Sequence, residues 1–513
     1  MTESTLLEAL QDPRLFDHPV AAFTLLETHI SWVLLTGHYA YKIKKPVDLG
    51  FLDFSTLAAR KHFCDEELRL NRRLAPRLYR DVVPICGTPA APRLGGAGAP
   101  FEYAVRMVEF PQQALLDRVL AAGGLTAERI DAMAGAIASF HAGAAVAGPE
   151  QPYGAPDLVF QPVRENFVQI DPLLDAPAER ARLERLRDWS SNRFRELQPL
   201  LQQRKADGRI RECHGDLHLG NMLLDGATVT AFDCLEFSPP LRWIDVQSDL
   251  AFLLMDLREH RAEARAQRLL DGYLALTGDY DGLPLQPFYQ VYRALVRAKV
   301  AAIRLGQSGG DSGELHAYLA LADRLRQPRS PFLLLTHGLS GSGKSHISQQ
   351  LLERLGALRL RSDVERKRLL GRAADSATDE AAKGAVYGRE LTLRTYARLA
   401  ELARTVVTAG MPAIVDATFL RRDQRAPFAA LAQELRVPFA ILDIRAPDTL
   451  LEQRVARRAA AGRDPSEADV DVIARQRATA EPLTAQEQAC ALAVDGAAPD
   501  LDRLVERLEG ITR

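Results

Sequence analysis

The 513-residue chain has little cysteine, few aromatic side chains and almost no net charge. Its five cysteines, Cys64, Cys86, Cys213, Cys234 and Cys490, are scattered along the chain, and no two form a C-x-x-C pair. This argues against a disulfide framework and a zinc site with ligand spacing, and it predicts reduced thiols in a cytoplasm. No apolar run approaches ~18 residues, so no membrane-spanning helix is expected. The opening "MTESTLLEALQDPRLF" lacks a basic stretch followed by an apolar core, so no signal peptide is expected either. The net charge is −2, and no basic stripe carries interleaved aromatics. Nucleic acid is therefore not the expected partner, and neither is a membrane. No internal repeat is visible.

What is present is an ordinary soluble composition, 47% hydrophobic and 26% charged, at a length that favours two or three domains. Residues 20–60 alternate like strands around turns. "TLAARKHFCDEELRLNRRLAP" has helical periodicity and stops at Pro76. "DVVPICG" and "FEYAVRMVEF" read as strands, and the Pro/Gly/Ala tract between them reads as a flexible hairpin loop. Residues 112–204 and 243–325 are mostly helical in pattern, with loop and short strand at 210–235. "RQPRSP" (326–331) reads as a linker. After it, buried strands alternate with amphipathic helices, the signature of a parallel sheet wrapped by helices. The expected division is 1–328, with a smaller lobe at about 20–111 and a larger one at about 112–328, followed by 329–513.

Chemistry is most legible in "GLSGSGKS", which fits G-x-x-x-x-G-K-[ST] between a strand and a helix. Gly338, Gly341, Ser342 and Gly343 form a loop whose backbone N–H groups turn inward onto phosphate oxygens. The helix N-terminus behind them favours negative charge. Lys344 is placed to reach the β- and γ-phosphates of ATP, and Ser345 to ligate Mg²⁺. Asp363 and Arg366 stand one helical turn apart, an acid able to take a hydroxyl proton beside a cation able to hold an anionic substrate. Asp416 ends a strand, where open α/β sheets bind ligands. Arg454, Arg457, Arg458 and Arg463 form a basic helix and loop suited to closing over a transferring phosphate. This region resembles the small P-loop kinases related to the kinase domain of bacteriophage polynucleotide kinase, gluconate kinase and zeta toxins. The resemblance implies a general-base role for Asp363 and an acceptor-side contact for Arg366.

"HGDLHLGN" resembles the catalytic loop of aminoglycoside phosphotransferases and of the related choline and homoserine kinases. That resemblance implies a protein-kinase-like α+β fold. It gives Asp216 the acceptor hydroxyl and Asn221, five residues on, a Mg²⁺ ion. Asp233 in "TVTAFDCLEF" takes the place of the second metal-binding Asp. Asp249, with Asp245 as the other candidate, takes the place of the Asp that braces the catalytic loop. Upstream, Lys42 and Lys44 share one strand face, with Lys45 opposite. Lys42 is the expected phosphate contact and Glu67 its expected helix partner. Met107 and the backbone near Glu109 and Phe110 stand where adenine would be read. The β1–β2 region has no G-x-G-x-x-G, which argues against a standard protein kinase but not against a small-molecule kinase.

Nearly the whole chain resembles the bacterial proteins described as bifunctional aminoglycoside phosphotransferase/ATP-binding proteins. "YKIKKPVDLGFLDFSTLAAR" and "FDCLEFSPPLRWIDVQSDLAFL" carry that likeness. The expected activity is ATP- and Mg²⁺-dependent phosphoryl transfer to hydroxyl groups of small molecules by two kinase-like modules. Two alternatives stand beside it: an N-terminal module that only binds nucleotide as a regulator, and a C-terminal module that phosphorylates nucleic acid ends.

Overall fold

The computed structural model describes residues 2–50, 52–96, 98–174, 176–308, 312–372, 388–461 and 470–512. They fall into two units: Met1–Asn166 with Phe194–Asp256, and Phe167–Arg193 with Leu257–Arg513.

The first unit is built on an antiparallel sheet of β1 (Thr24–Glu27), β2 (Ser31–Leu35), β3 (Tyr39–Lys44), β4 (Tyr79–Thr88), β5 (Ala91–Leu94) and β6 (Pro100–Val108). Its strand order is β1-β2-β3-β6-β4-β5. Strand alternation sends Tyr41 and Ile43 to one face, where they pack with Trp32, Leu34, Ile85 and Ala104. Lys42 and Lys44 go to the other face, which helix α1 (Leu57–Asn71) covers. Thr56 caps that helix by accepting the Ala59 N–H. The buried residues Arg60, Cys64, Glu67 and Asn71 recur at three- and four-residue steps, which puts Glu67 on the inward face. The tract expected to be a hairpin loop instead contributes β5, paired with β4 from Ile85↔Leu94 to Thr88↔Ala91. Two hairpin-like pairs follow: β7 (Ile210–Glu212) with β10 (Trp243–Asp245), and β8 (Met222–Asp225) with β9 (Thr228–Ala231). Helices α2 (Ala127–Gly143) and α3 (Val246–Glu259) bring side chains to the loop between β7 and β8. The architecture is α+β.

Beyond Leu257 the second unit carries helices α4 (Glu263–Thr277), α5 (Gln286–Ser308) and α6 (Gly313–Leu325). Its five strands, β11 (Leu333–His337), β12 (Leu358–Arg361), β13 (Ala413–Asp416), β14 (Phe439–Arg445) and β15 (Ala491–Asp495), are ordered β12-β13-β11-β14-β15. Every pairing is parallel. The core of one face joins Leu334, Ile414, Leu442 and Ile444 to Ile347 and Leu351 of α7 (Lys344–Leu355). Around the sheet run α8 (Ser362–Leu369), α9 (Arg389–Thr408), α10 (Arg422–Leu435), α11 (Asp448–Ala461), α12 (Val470–Thr479) and α13 (Leu501–Thr512). This is an α/β fold with a parallel sheet, and its P-loop joins β11 to α7. Among the described residues no helix is long and apolar enough to cross a membrane.

Candidate active sites

In the first unit, the face of β3 that carries Lys42 and Lys44 meets Glu67 of α1. Glu67 is shared: Oε1 lies 2.9 Å from Lys42 Nζ and Oε2 lies 2.8 Å from Lys44 Nζ. Lys42 Nζ also reaches Asp233 Oδ1 at 2.5 Å, and Lys44 forms a short contact with Glu236. Glu67, Lys44 and Glu236 are buried. Burial opposes ionisation of each group, and oppositely charged neighbours outweigh it for all but Glu236. Burial lowers the affinity of Lys42 and Lys44 for their protons, but the carboxylates beside them outweigh it and hold both above the usual lysine range. Burial alone would raise Glu67, but the two ammonium groups bring it down to about 2. Glu236 is pushed up, by burial first and then by the nearby Glu67.

Asp233 follows β9 in the left-handed backbone region, at φ 62°, and donates its N–H to the Tyr79 hydroxyl (3.2 Å). Few L-residues adopt this conformation, and Asp is among those that tolerate it. Asn221 Nδ2 donates to the Asp216 backbone oxygen (3.0 Å) and to Asp216 Oδ2 (3.1 Å), so these two candidate residues are held together. Asp249, from α3, is fully buried beneath this loop. It accepts the backbone N–H groups of His214 (3.1 Å) and Gly215 (2.9 Å), and His141 Nε2 of α2 lies 3.1 Å away. Burial raises the Asp249 carboxyl, but these contacts outweigh it and hold the group below the usual carboxylate range. Asp245 is engaged elsewhere, by Arg204 at 2.6 and 2.7 Å. Of the two bracing candidates, Asp249 is therefore the one under the loop. The Glu109 N–H, expected near adenine, donates to His38 O (3.0 Å), and its carboxylate accepts the N–H groups of Thr36 and Gly37.

In the second unit, a cavity of about 840 Å³ is lined by Gly341, Gly343, Lys344 and Ser345, and by Asp363, Arg366, Asp416 and Arg454. The loop geometry needs its glycines. Gly338 has φ 145°, and a Cβ there would lie 2.4 Å from Ile444 O. Ser342 is buried, and its hydroxyl has no hydrogen-bond partner among the described residues. Lys344 Nζ donates to Leu339 O at 2.7 Å, folded back on its own loop. Asp363 and Arg366 face each other across the first turn of α8 (3.2 Å). Asp416 is buried at the end of β13, with Oδ2 accepting the Ser348 hydroxyl (3.2 Å) and Arg361 3.9 Å away. Arg454 Nη1 donates to Gly341 O (3.3 Å) and Gly496 O (3.0 Å). The Arg458 side chain and Arg463 lie outside the described residues.

Several residues of these sites were not anticipated from sequence. Glu236 completes the ion cluster of the first site by pairing with Lys44, which strand alternation had placed on the Lys42 face without a role. Gln476, on α12, brackets Ser340 through its N–H (2.9 Å) and hydroxyl (3.0 Å). Gly496 lies so close to the P-loop that a Cβ would sit 2.0 Å from Ser342 O. The run "FDCLEF", acidic within an apolar stretch, was a signal for Glu236. Nothing in the sequence singled out Gln476.

Residues 54–286 match the family model described as "Phosphotransferase enzyme family", and residues 333–483 match the one described as "AAA domain". An uncharacterized protein of Mycobacterium tuberculosis is 28% identical over 453 residues, covering 87% of this chain and 89% of its own. Among solved structures, amicoumacin kinase in complex with AMP-PNP, Ca²⁺ and Ami is 12% identical with a TM-score of 0.41, covering 63% of this chain and 93% of that one. A sugar kinase from Janibacter sp. HTCC2649 is 20% identical with a TM-score of 0.27, covering 35% of this chain and 94% of that one. The chain thus joins a kinase-like region that matches the phosphotransferase model to a P-loop region with a parallel sheet that matches the AAA-domain model.

Proposed function

We propose that the protein is an ATP-dependent phosphotransferase with two catalytic modules, each transferring the γ-phosphate of ATP to a hydroxyl group of a small molecule. One observation carries this reading: a single cavity holds a glycine-built phosphate loop with Lys344 and, facing it, the Asp363–Arg366 pair. A donor cradle and a base for an acceptor hydroxyl are the two parts that transfer requires.

At the P-loop site, backbone N–H groups and Lys344 hold the phosphates, and Arg366 orients the acceptor. Asp363 takes the hydroxyl proton as the acceptor oxygen bonds to the γ-phosphorus and the bond to the β-phosphate oxygen breaks. The buried, unpartnered Ser342 hydroxyl and the space that only glycine leaves at residue 338 both fit a phosphate-binding loop. At the N-terminal site, Lys42 meets the phosphates, Glu67 fixes Lys42, and Asp216 accepts the hydroxyl proton. The oxygen donors suit Mg²⁺. Asn221 spends its Nδ2 on Asp216, which leaves its carboxamide oxygen for a cation beside Asp233, and Ser345 serves the P-loop site. When bound, the ion supplies charge neutralisation for the phosphates.

The test is to incubate full-length protein with γ-labelled ATP and a metabolite extract, and to repeat the incubation with Asp216→Ala and Asp363→Ala. Labelled small molecules that disappear in one variant or the other are expected. Absence of any labelled product, or wild-type labelling in both variants, overturns the reading.

A further inference from the structure

The strand that aims Asp363 at the P-loop lies at the edge of its sheet. Among the described residues β12 pairs with β13 along one side only. Its outward-facing backbone groups include the Ala357 carbonyl and the Arg359 N–H, and an open edge leaves such groups without ladder partners. Helix α4 supplies partners from side chains. Gln267 Nε2 donates to Ala357 O at 2.8 Å, and Asp271 Oδ1 accepts the Arg359 N–H at 2.6 Å. The two residues are four apart, on one face of α4, and only 2% and 5% exposed. Neighbouring contacts fix the same helix on both flanks of the strand. Arg268 Nη1 pairs with Glu353 of α7 at 2.6 Å, and Arg368 Nη2 of α8 donates to Ala275 O at 2.6 Å. At the end of α4 the fit is tight: a Cβ on Gly278 would lie 2.9 Å from Arg368 Nε.

Asp271 also acts beyond the strand. Its Oδ2 lies 3.8 Å from Arg359 Nη2, and Arg359 Nη1 donates to the backbone oxygen of Ser345 at 3.1 Å. A continuous path therefore runs from Asp271 through Arg359 to the first turn of the P-loop helix. The same carboxylate holds the strand that leads into Asp363.

We propose that Asp271 is a positioning residue for phosphoryl transfer at the P-loop site, so that α4, which precedes the linker, is a working part of the P-loop enzyme. For its kinetic readout this inference rests on the phosphotransferase reading above; its structural readout stands without it. The experiment uses full-length Asp271→Ala, Asp271→Asn and Gln267→Ala. The first readout is the ATP turnover that Lys344→Ala abolishes, and the second is deuterium uptake by peptides spanning 340–362. Asp271→Ala is expected to lower kcat of the Lys344-dependent turnover about 10- to 100-fold, as misplacement by a remote change does, and to speed exchange over 344–362. Asp271→Asn keeps an acceptor for the Arg359 N–H and is expected to recover most of both. A merely stabilising residue would lower the melting temperature and leave kcat of the folded protein unchanged. A folded Asp271→Ala protein with wild-type kcat overturns the proposal, whatever its exchange. If the wild type shows no Lys344-dependent turnover, the functional reading fails, and exchange over 344–362 alone decides the positioning. If Asp271→Ala does not fold, Gln267→Ala decides by the same two readouts: faster exchange and lower kcat support the proposal, and wild-type values overturn it.

Discussion

In the N-terminal site the functional side chains hold one another. Lys42 touches Glu67 and Asp233, Lys44 touches Glu67 and Glu236, and Asn221 touches Asp216. In the P-loop site the candidate cradle is made by backbone, at glycines where a side chain has no room, and the charged groups line a cavity of about 840 Å³. The first arrangement buries charge and depends on every partner being present. The second depends on conformation, and tolerates changes of charge better than changes of shape. The N-terminal unit should therefore fail by electrostatic imbalance, and the P-loop site by steric intrusion.

The largest expected effects separate the two sites outright. Asp216→Ala should remove its own site's transfer by ~10²–10⁴-fold, and Asp363→Ala should do the same at the other site, as loss of a general base does. Labelled-phosphate assays that score each product separately check this, and a single variant that silences both products would break the comparison. Next in size, Glu67→Ala takes the shared carboxylate from Lys42 and the buried Lys44, leaving them only Asp233 and Glu236, and should cost about 3 kcal/mol, read by chemical denaturation. Gly496→Ala, which drives a methyl group against Ser342 O and so displaces the P-loop backbone, should instead weaken nucleotide binding at the P-loop by about tenfold or more, or ~1.4 kcal/mol; titration of the folded variant with a fluorescent nucleotide checks it. Acid sharpens the contrast. The carboxyl of Glu67 is lowered from 4.5 to about 2 because Lys42 and Lys44 outweigh its burial. Its contribution is therefore complete above about pH 4.5 and drains away as pH falls toward 2. Circular dichroism over that window should show acid unfolding of the wild type and a flatter response in Glu67→Gln. The smallest effect expected is that of Tyr396→Phe. It removes a hydroxyl that contacts Thr418 Oγ1 (3.3 Å) and accepts the Phe419 N–H (3.3 Å), and should cost about 0.5–1.5 kcal/mol in a thermal melt.

The same contrast explains what sequence reading reached. A backbone cradle is encoded locally: glycines at fixed offsets between a strand and a helix announce it, and Asp363 with Arg366 needs only one helical turn. The spacing of Asp216 and Asn221 is equally local. The ion cluster is not. Glu236 and Lys44 are 192 positions apart, and only the folded chain shows that Glu67 serves two lysines. Asp249 was preferred to Asp245 on resemblance, because local pattern alone places both at the start of one helix. The choice between them depended on where His141 and Arg204 come to lie, which no local pattern records. The proline- and glycine-rich tract was misjudged for a related reason. Tertiary pairing with β4 overrode the local preference for loop and made 91–94 a strand.

The cover that Gln267 and Asp271 place over β12 has a consequence for handling the protein. Cut at the linker, residues 329–513 would expose that strand's N–H and C=O groups as a template for a strand from another molecule. Such a fragment would be expected to self-associate edge to edge, and a boundary drawn before Glu263 should yield the soluble piece.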